Sequence, residues 1–120
     1  LKPNMIVPGT KNSKKATTEE IAKKTIECLK KNVPNEAPGI AFLSGGQSEQ
    51  EASKNLDAIN KINDTSFLIT FSYGRALQQS ALKTWAKDMN NSKEIHSVFN
   101  HRSKMNSLAS KGEWSQSLEI

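Results

Sequence analysis

Short polar segments that contain glycine follow the apolar runs of this 120-residue sequence. Residues 39–52 read GIAFLSGGQSEQEA, so Ser44, Gly45 and Gly46 separate an apolar run from the pattern of a helix start. Glycines let a ligand come close to the backbone, and the N–H groups of a helix N-terminus attract phosphate. A tight turn with nothing bound uses the same residues, so this segment alone leaves a phosphate site and a plain turn both open.

A second segment of the same kind follows the apolar run FLITF at residues 67–71. Ser72, Gly74 and Arg75 come directly after it, and an arginine can hold a phosphate through two parallel hydrogen bonds. In a βα barrel, segments that follow successive strands lie on the same face, where phosphate sites recur. The two segments together favour phosphate binding, although a turn with a solvated arginine is the alternative for the second.

Lys2 lies beside Pro3 in a short apolar segment at residues 1–7, where a lysine could be partly shielded from water. A lysine that is partly removed from water holds a neutral amine more easily, and a neutral amine can attack a carbonyl to form a Schiff base. Most lysines are simply solvated, however, and neither composition nor spacing singles this one out.

Composition argues against several other classes of protein. The net charge is +5, but the lysines occur as singles and pairs in helical stretches, which indicates a solvated surface rather than a nucleic-acid site. Cys28 is the only cysteine, which excludes an internal disulfide and fits a reducing cytoplasm. His96 and His101 lack the spacing for one helical face, so no metal site is predicted. No apolar run is long enough for a membrane span, and no signal peptide is recognised.

Four helices are predicted from capping signals and apolar spacing. Thr17 with Glu20, and Ser48 with Glu51, have capping-box spacing and predict two helix starts. A third helix is predicted after the second glycine segment, with Trp85 among its core residues. The remaining expectations are a last helix capped by Ser92, a polar and frayed tail from about 107 to 120, core positions at Leu77, Ala81 and Leu82, and capping or dipole roles for Glu49, Glu51 and Asp57.

Three strands are predicted, and they alternate with helices. Residues 1–7 are interpreted as the end of a strand that runs into a loop, and the other two strands are at 40–43 and 67–71. Continuous apolar runs are typical of strands buried on both faces, so the pattern predicts an α/β fold with a parallel sheet. Three such strands alone would expose their edges and at least one face. We therefore expect part of a barrel or of a doubly wound sheet.

Four stretches closely resemble the C-terminal third of class I fructose-bisphosphate aldolases: LKPNM at 1–5, FLSGGQSEQEA at 42–52, NLDAIN at 55–60 and TFSYGRALQQSALKTW at 70–85. The resemblance is almost unbroken from residue 1 to about 85 and looser in the last helix. It implies that residues 1–120 are a partial domain of an eight-stranded TIM barrel, containing its sixth to eighth strands. It also implies a cytoplasmic homotetramer that binds a sugar phosphate, with no cofactor, no metal, no nucleic acid and no membrane.

The same resemblance assigns roles to individual residues. Lys2 would form the Schiff base with the ketose in the reversible cleavage of fructose 1,6-bisphosphate. The products would be dihydroxyacetone phosphate and glyceraldehyde 3-phosphate. The residues that would bind a substrate phosphate are Ser44, Gly45, Ser72, Gly74 and Arg75.

The chain also departs from the family pattern. The family's acid/base carboxylate and its other active-site lysines come from strands that these 120 residues do not contain, so the chain alone is expected to be inactive. Residues 87–97 differ from the usual segment, and the chain ends without the usual tyrosine. Two alternatives remain: a non-catalytic scaffold that kept the phosphate site, and a Schiff-base aldolase for another sugar phosphate. The presence of Lys2 argues against the first.

Overall fold

The computed structural model describes residues 1–119, which form a mixed α/β fold of four helices and a two-stranded parallel sheet. None of the helices in this described part has the length and apolar character needed to cross a bilayer. In chain order the elements are α1 (Thr18–Asn32), β1 (Gly39–Phe42), α2 (Glu49–Lys61), β2 (Leu68–Phe71), α3 (Arg75–Lys87), α4 (Ser92–Ala109) and a short 3-10 helix (Gln116–Leu118).

Both predicted capping boxes are confirmed, and they explain where α1 and α2 begin. The Thr17 hydroxyl accepts from the Glu20 N–H at 3.2 Å, and the Glu20 carboxylate accepts from the Thr17 N–H at 2.8 Å. Ser48 and Glu51 repeat this reciprocal pair at the start of α2. Each box satisfies two N–H groups that the helix itself leaves without partners.

The two strands run parallel and in register, with Gly39 opposite Leu68 and Phe42 opposite Phe71. Helix α2 connects the two strands, so β1, α2 and β2 form one βαβ unit. The carboxyl ends of both strands therefore lie at the same edge of the sheet, and the chain segments that follow them begin side by side.

The third strand, predicted at the amino terminus, is an extended segment instead. The Leu1 amino group donates to the Gly39 carbonyl at 3.0 Å, and the Ala41 N–H donates to the Leu1 carbonyl at 2.8 Å, as in a parallel pair. Two residues on, the Pro3 carbonyl accepts from the Leu43 N–H at 3.0 Å, but a proline nitrogen has no hydrogen to donate in return. The ladder is therefore incomplete, and the segment is not a regular strand.

The helices cover one face of the sheet only. Ile40, Phe42 and Ile69 point into the core, whereas Leu68, next to Ile69 in β2, is 78% exposed. The prediction of strands buried on both faces is thus wrong for this chain. The finding agrees with the expectation that so few strands leave a face uncovered.

Helix α3 uses a different side than its apolar pattern predicts. Ala76 and Ala81 are buried, but Leu82 is 54% exposed and Trp85 is 48% exposed, so the prediction that they lie in the core is wrong. Helix α3 packs against α4 and α2, and Ala76 and Ala81 are the residues that it buries. The cap of α4 also differs: Asn91, not Ser92, accepts the Glu94 N–H at 3.2 Å.

The expectation of a frayed tail from residue 107 is wrong for the residues that the structure describes, which exclude Ile120. Helix α4 continues to Ala109, and Trp114 is buried in the core. The Trp114 indole N–H donates to the Glu119 carboxylate at 2.9 Å. Polar composition misled the prediction because the few apolar residues of this segment, Trp114 and Ala109 among them, are buried in the core.

Candidate functional site

The two glycine segments leave the same edge of the sheet. Phe42 and Phe71 are paired at the ends of β1 and β2, and the Ser72 N–H donates to the Phe42 carbonyl at 2.8 Å. The segment from Ser44 to Gly46 thus begins beside the segment from Ser72 to Arg75. The sequence predicted this neighbourhood from parallel strands, and the register confirms it.

Lys2 belongs to the same part of the molecule. The hydrogen bonds of Leu1 to Gly39 and Ala41 set Leu1 opposite Ile40, so Lys2 is level with Ala41. Side chains alternate between faces along an extended chain, which assigns Lys2 to the face that the helices do not cover. Its side chain is exposed in this structure.

Gly45 has a conformational and a steric reason to be glycine. Its φ is +57°, and a Cβ at this position would lie 2.3 Å from the Asn4 side-chain oxygen. Gly46 also has a positive φ, +80°, but a Cβ there would meet no atom within 4 Å. The backbone of Gly45 thus lies directly against Asn4, two residues after Lys2, and this contact joins the lysine segment to the first glycine loop.

Gln47 holds the first glycine loop in place. Its side-chain amide donates to the Ser44 carbonyl at 2.9 Å and contacts the Met5 sulfur at 3.5 Å. Its side-chain oxygen accepts from the Asn55 amide at 2.7 Å. Through Gln47, the loop is therefore held both by α2, at Asn55, and by the amino-terminal segment, at Met5. A cleft of about 190 Å³ lies beside it, between Gly46 and the loop that carries Lys15.

The second glycine loop is anchored through Tyr73. Its hydroxyl donates to the Ala52 carbonyl of α2 at 2.9 Å, and its ring is buried. Burial raises the pKa of Tyr73 well above its ordinary value, because the phenolate would lose its contact with water. Tyr73 therefore remains a hydrogen-bond donor across the physiological range and ties this loop to α2.

The start of α3 differs from the starts of the other helices. Gly74 is the residue before the helix, no side chain caps the N–H groups of the first turn, and this turn contains no acidic residue. A Cβ on Gly74 would meet no atom within 4 Å, so the space above the helix start is open. Arg75 is exposed there, and no carboxylate among residues 1–119 forms an ion pair with it. Free N–H groups, the helix dipole and a free guanidinium suit an anion.

The side chains that commonly bind metals are not clustered in the described residues. In residues 1–119 no three His, Cys, Asp or Glu side chains lie close enough together to hold a metal ion. His101 is instead 3.5 Å from Glu119, near the end of the chain.

Sequence reasoning missed the residues that support the site. Asn4, Gln47 and Tyr73 carry no chemical signature, although all three lie within the stretches that resemble aldolases. Glu49, expected to act as a dipole or capping charge, does lie in the first turn of α2, whereas Asp57 lies well inside that helix. Both carboxylates are buried and accept hydrogen bonds from other elements. Only Glu51 has the predicted capping role.

Comparisons with known proteins agree with this geometry. The family model described as "Fructose-bisphosphate aldolase class-I" matches residues 1–119. Fructose-bisphosphate aldolase B of Sparus aurata is 51% identical over 118 residues, which are 98% of this chain and 32% of that protein. The cytoplasmic isozyme of fructose-bisphosphate aldolase from Spinacia oleracea is 49% identical over 115 residues, which are 95% of this chain and 32% of that protein.

A solved structure extends the similarity to the fold. The fructose-bisphosphate aldolase of Plasmodium falciparum, in a ternary co-crystal structure, matches with a TM-score of 0.90 at 44% sequence identity. The match covers 95% of this chain and 33% of that one. The chain thus spans about a third of the length of the relatives that it matches.

Proposed function

The chain belongs to the class-I fructose-bisphosphate aldolase family, and we propose that it supplies the Schiff-base lysine and the phosphate site of such an enzyme. The reaction is the reversible cleavage of fructose 1,6-bisphosphate to dihydroxyacetone phosphate and glyceraldehyde 3-phosphate. The observation that carries the proposal is that Lys2 and both glycine loops lie at one sheet edge, joined by the contact between Asn4 and Gly45.

The substrate phosphate binds at the two glycine loops. Arg75 and the free N–H groups at the start of α3 supply positive charge, and the open space above Gly74 admits the phosphate. Gly45 of the first loop has a positive φ, a conformation that glycine adopts without strain. The full set of phosphate ligands is Ser44, Gly45, Ser72, Gly74 and Arg75.

Lys2 performs the covalent chemistry. Its neutral amine attacks the C2 carbonyl of the ketose, and loss of water gives an iminium ion. When the C4 hydroxyl loses its proton, the electron pair of the C3–C4 bond moves onto the iminium, and glyceraldehyde 3-phosphate leaves. Protonation of the resulting enamine at C3 and hydrolysis release dihydroxyacetone phosphate and restore the amine. Binding of the substrate phosphate at the two loops holds C2 of the ketose near the Lys2 amine, which is a positioning effect.

The remaining active-site groups lie outside residues 1–119. We place the base for the C4 hydroxyl on the strands that complete a barrel around the uncovered sheet face, where Leu68 and Lys2 are exposed. These 120 residues alone therefore bind phosphate but do not complete a turnover. The completed enzyme is proposed to be a homotetramer of the cytoplasm, as the resemblance implies.

A fusion protein tests the proposal. We would join this chain to the preceding two thirds of the Sparus aurata relative, and call the product the fusion. The fusion should cleave fructose 1,6-bisphosphate, and Lys2→Arg should abolish cleavage while leaving the fold intact, because a permanently charged guanidinium cannot form a Schiff base. A folded fusion that cleaves only another sugar phosphate, or a Lys2→Arg variant with full activity, would contradict the proposal.

A further inference from the structure

A buried carboxylate joins the two helices that begin at the glycine loops. Glu49 is the first residue of α2 and is 8% exposed. One of its oxygens accepts from the Ser80 N–H of α3 at 2.9 Å, and the other accepts from the Ser80 hydroxyl. Glu49 comes five residues after Ser44, and Ser80 comes five residues after Arg75. The pair therefore connects the two helices just behind the loops.

Arg102 of α4 supports this carboxylate from the other side. Its Nε lies 3.7 Å from the Glu49 carboxylate, and its Nη1 donates to the Ser53 hydroxyl at 3.1 Å. Two further hydrogen bonds, of 2.7 and 2.8 Å, bind Arg102 to Glu119. Arg102 thus balances two carboxylates, and the position of Glu49 is fixed relative to α3 and α4 together.

Capping does not explain why a carboxylate occupies this position. The start of α2 is already capped by Ser48 and Glu51. A buried ion pair is also a weak source of stability, because apolar side chains of similar volume commonly do as well. What a bonded carboxylate adds is a fixed geometry between the elements that it joins.

We propose that Glu49 is a positioning residue that sets the spacing between the two phosphate-binding loops, and so sets phosphate affinity. This inference rests on the proposed function, because it concerns the phosphate site at those loops. Glu49 acts through Ser80 and does not touch the phosphate. The Ser44 loop and the start of α3 can bind the same phosphate only when α2 and α3 keep the spacing that the contact between Glu49 and Ser80 sets.

Inorganic phosphate is the probe, titrated into the 120-residue chain while amide signals of Gly74 and Arg75 are followed by NMR. Glu49→Ala should weaken binding roughly tenfold, the equivalent of one charge-assisted contact. Ser80→Ala, a milder change, should weaken binding in the same direction, and its effect should be largely lost in the double variant. Glu49→Gln keeps an acceptor for Ser80 and should recover much of the affinity.

The matched control is Asp57→Ala. Asp57 is an equally buried carboxylate of α2, but it accepts from the Trp114 N–H at 3.0 Å and pairs with Lys61, away from α3. The Asp57→Ala change should lower the free energy of unfolding and leave the phosphate affinity of the folded fraction unchanged. If Glu49→Ala binds phosphate within twofold of the unmodified chain, the inference about Glu49 is wrong. It is also wrong if Asp57→Ala loses as much phosphate affinity as Glu49→Ala. Either result leaves the phosphate site itself standing. An unmodified chain that binds no phosphate would overturn the phosphate site as well.

Discussion

Replacing Gly45 by alanine tests the contact that joins the lysine segment to the first glycine loop. At a φ of +57° a side chain strains the backbone, at a cost of about 1–2 kcal/mol, partly offset by about 0.4–1 kcal/mol from a less flexible unfolded chain. Gly46→Ala at a φ of +80° has a comparable backbone cost and is the matched control.

The two variants differ in their neighbours. A Cβ on Gly45 would lie 2.3 Å from the Asn4 side-chain oxygen and 2.9 Å from its carbon and nitrogen, whereas a Cβ on Gly46 meets nothing. The exposed Asn4 side chain must turn aside, and wherever its χ angles are forced off their staggered values the cost is about 0.5–1.5 kcal/mol. We therefore expect Gly45→Ala to lose about 1 kcal/mol more free energy of unfolding than Gly46→Ala.

Urea unfolding followed by tryptophan fluorescence measures this difference, because Trp114 is buried. Adding Asn4→Ala to Gly45→Ala should bring the stability back toward that of Gly46→Ala, since the smaller side chain makes room. Equal losses in the two single variants would refute the contact. So would an Asn4→Ala change that gives no relief in the Gly45→Ala background.

Three further predictions concern the anchors and the sheet. Tyr73→Phe should lower the free energy of unfolding by about 0.5–1.5 kcal/mol, because the hydrogen bond to the Ala52 carbonyl is lost; a stability equal to that of the unmodified chain would contradict it. Ile69→Ala should cost about 2–5 kcal/mol and Leu68→Ala less than about 0.5 kcal/mol, because only the first is buried; similar losses on urea unfolding would mean that the register is wrong. Burial would raise the pKa of Glu119, but hydrogen bonds from the Arg102 guanidinium and the Trp114 indole hold that pKa below its ordinary value. The stability that the ionised carboxylate adds is therefore present at neutral pH and is lost as the pH falls through and below the ordinary titration range of a glutamate. Acid unfolding monitored by circular dichroism should accordingly be less pH-dependent in Glu119→Gln, and an unchanged pH profile would argue against this pairing.

The helix starts and the common edge of the loops could be predicted from sequence because local signals specify them. Capping boxes depend on side chains three residues apart, and the carboxyl ends of parallel strands always meet at one edge. The prediction of a third strand was wrong because Pro3 has no N–H to donate. The sequence shows the proline, but its effect depends on which strand lies beside it.

The packing of the helices could not be predicted in the same way. Trp85 belongs to a clear helical pattern and is half-exposed, whereas Trp114 lies in a polar tail and is buried. Which side of α3 packs depends on α4, and the position of the tail depends on Glu119 meeting Arg102, 17 residues away. Such tertiary contacts leave no periodic signal in the sequence.

The covalent adduct of the substrate is the most direct test of the central claim. The fusion would be incubated with dihydroxyacetone phosphate, reduced with borohydride, and mapped by peptide mass spectrometry. The other lysines of the chain, such as Lys14 and Lys15, serve as internal controls for non-specific reaction. The account predicts one adduct, on Lys2, that inorganic phosphate competes away. A folded fusion with no adduct, or with adducts spread over surface lysines, would contradict the Schiff-base role and leave a phosphate-binding protein.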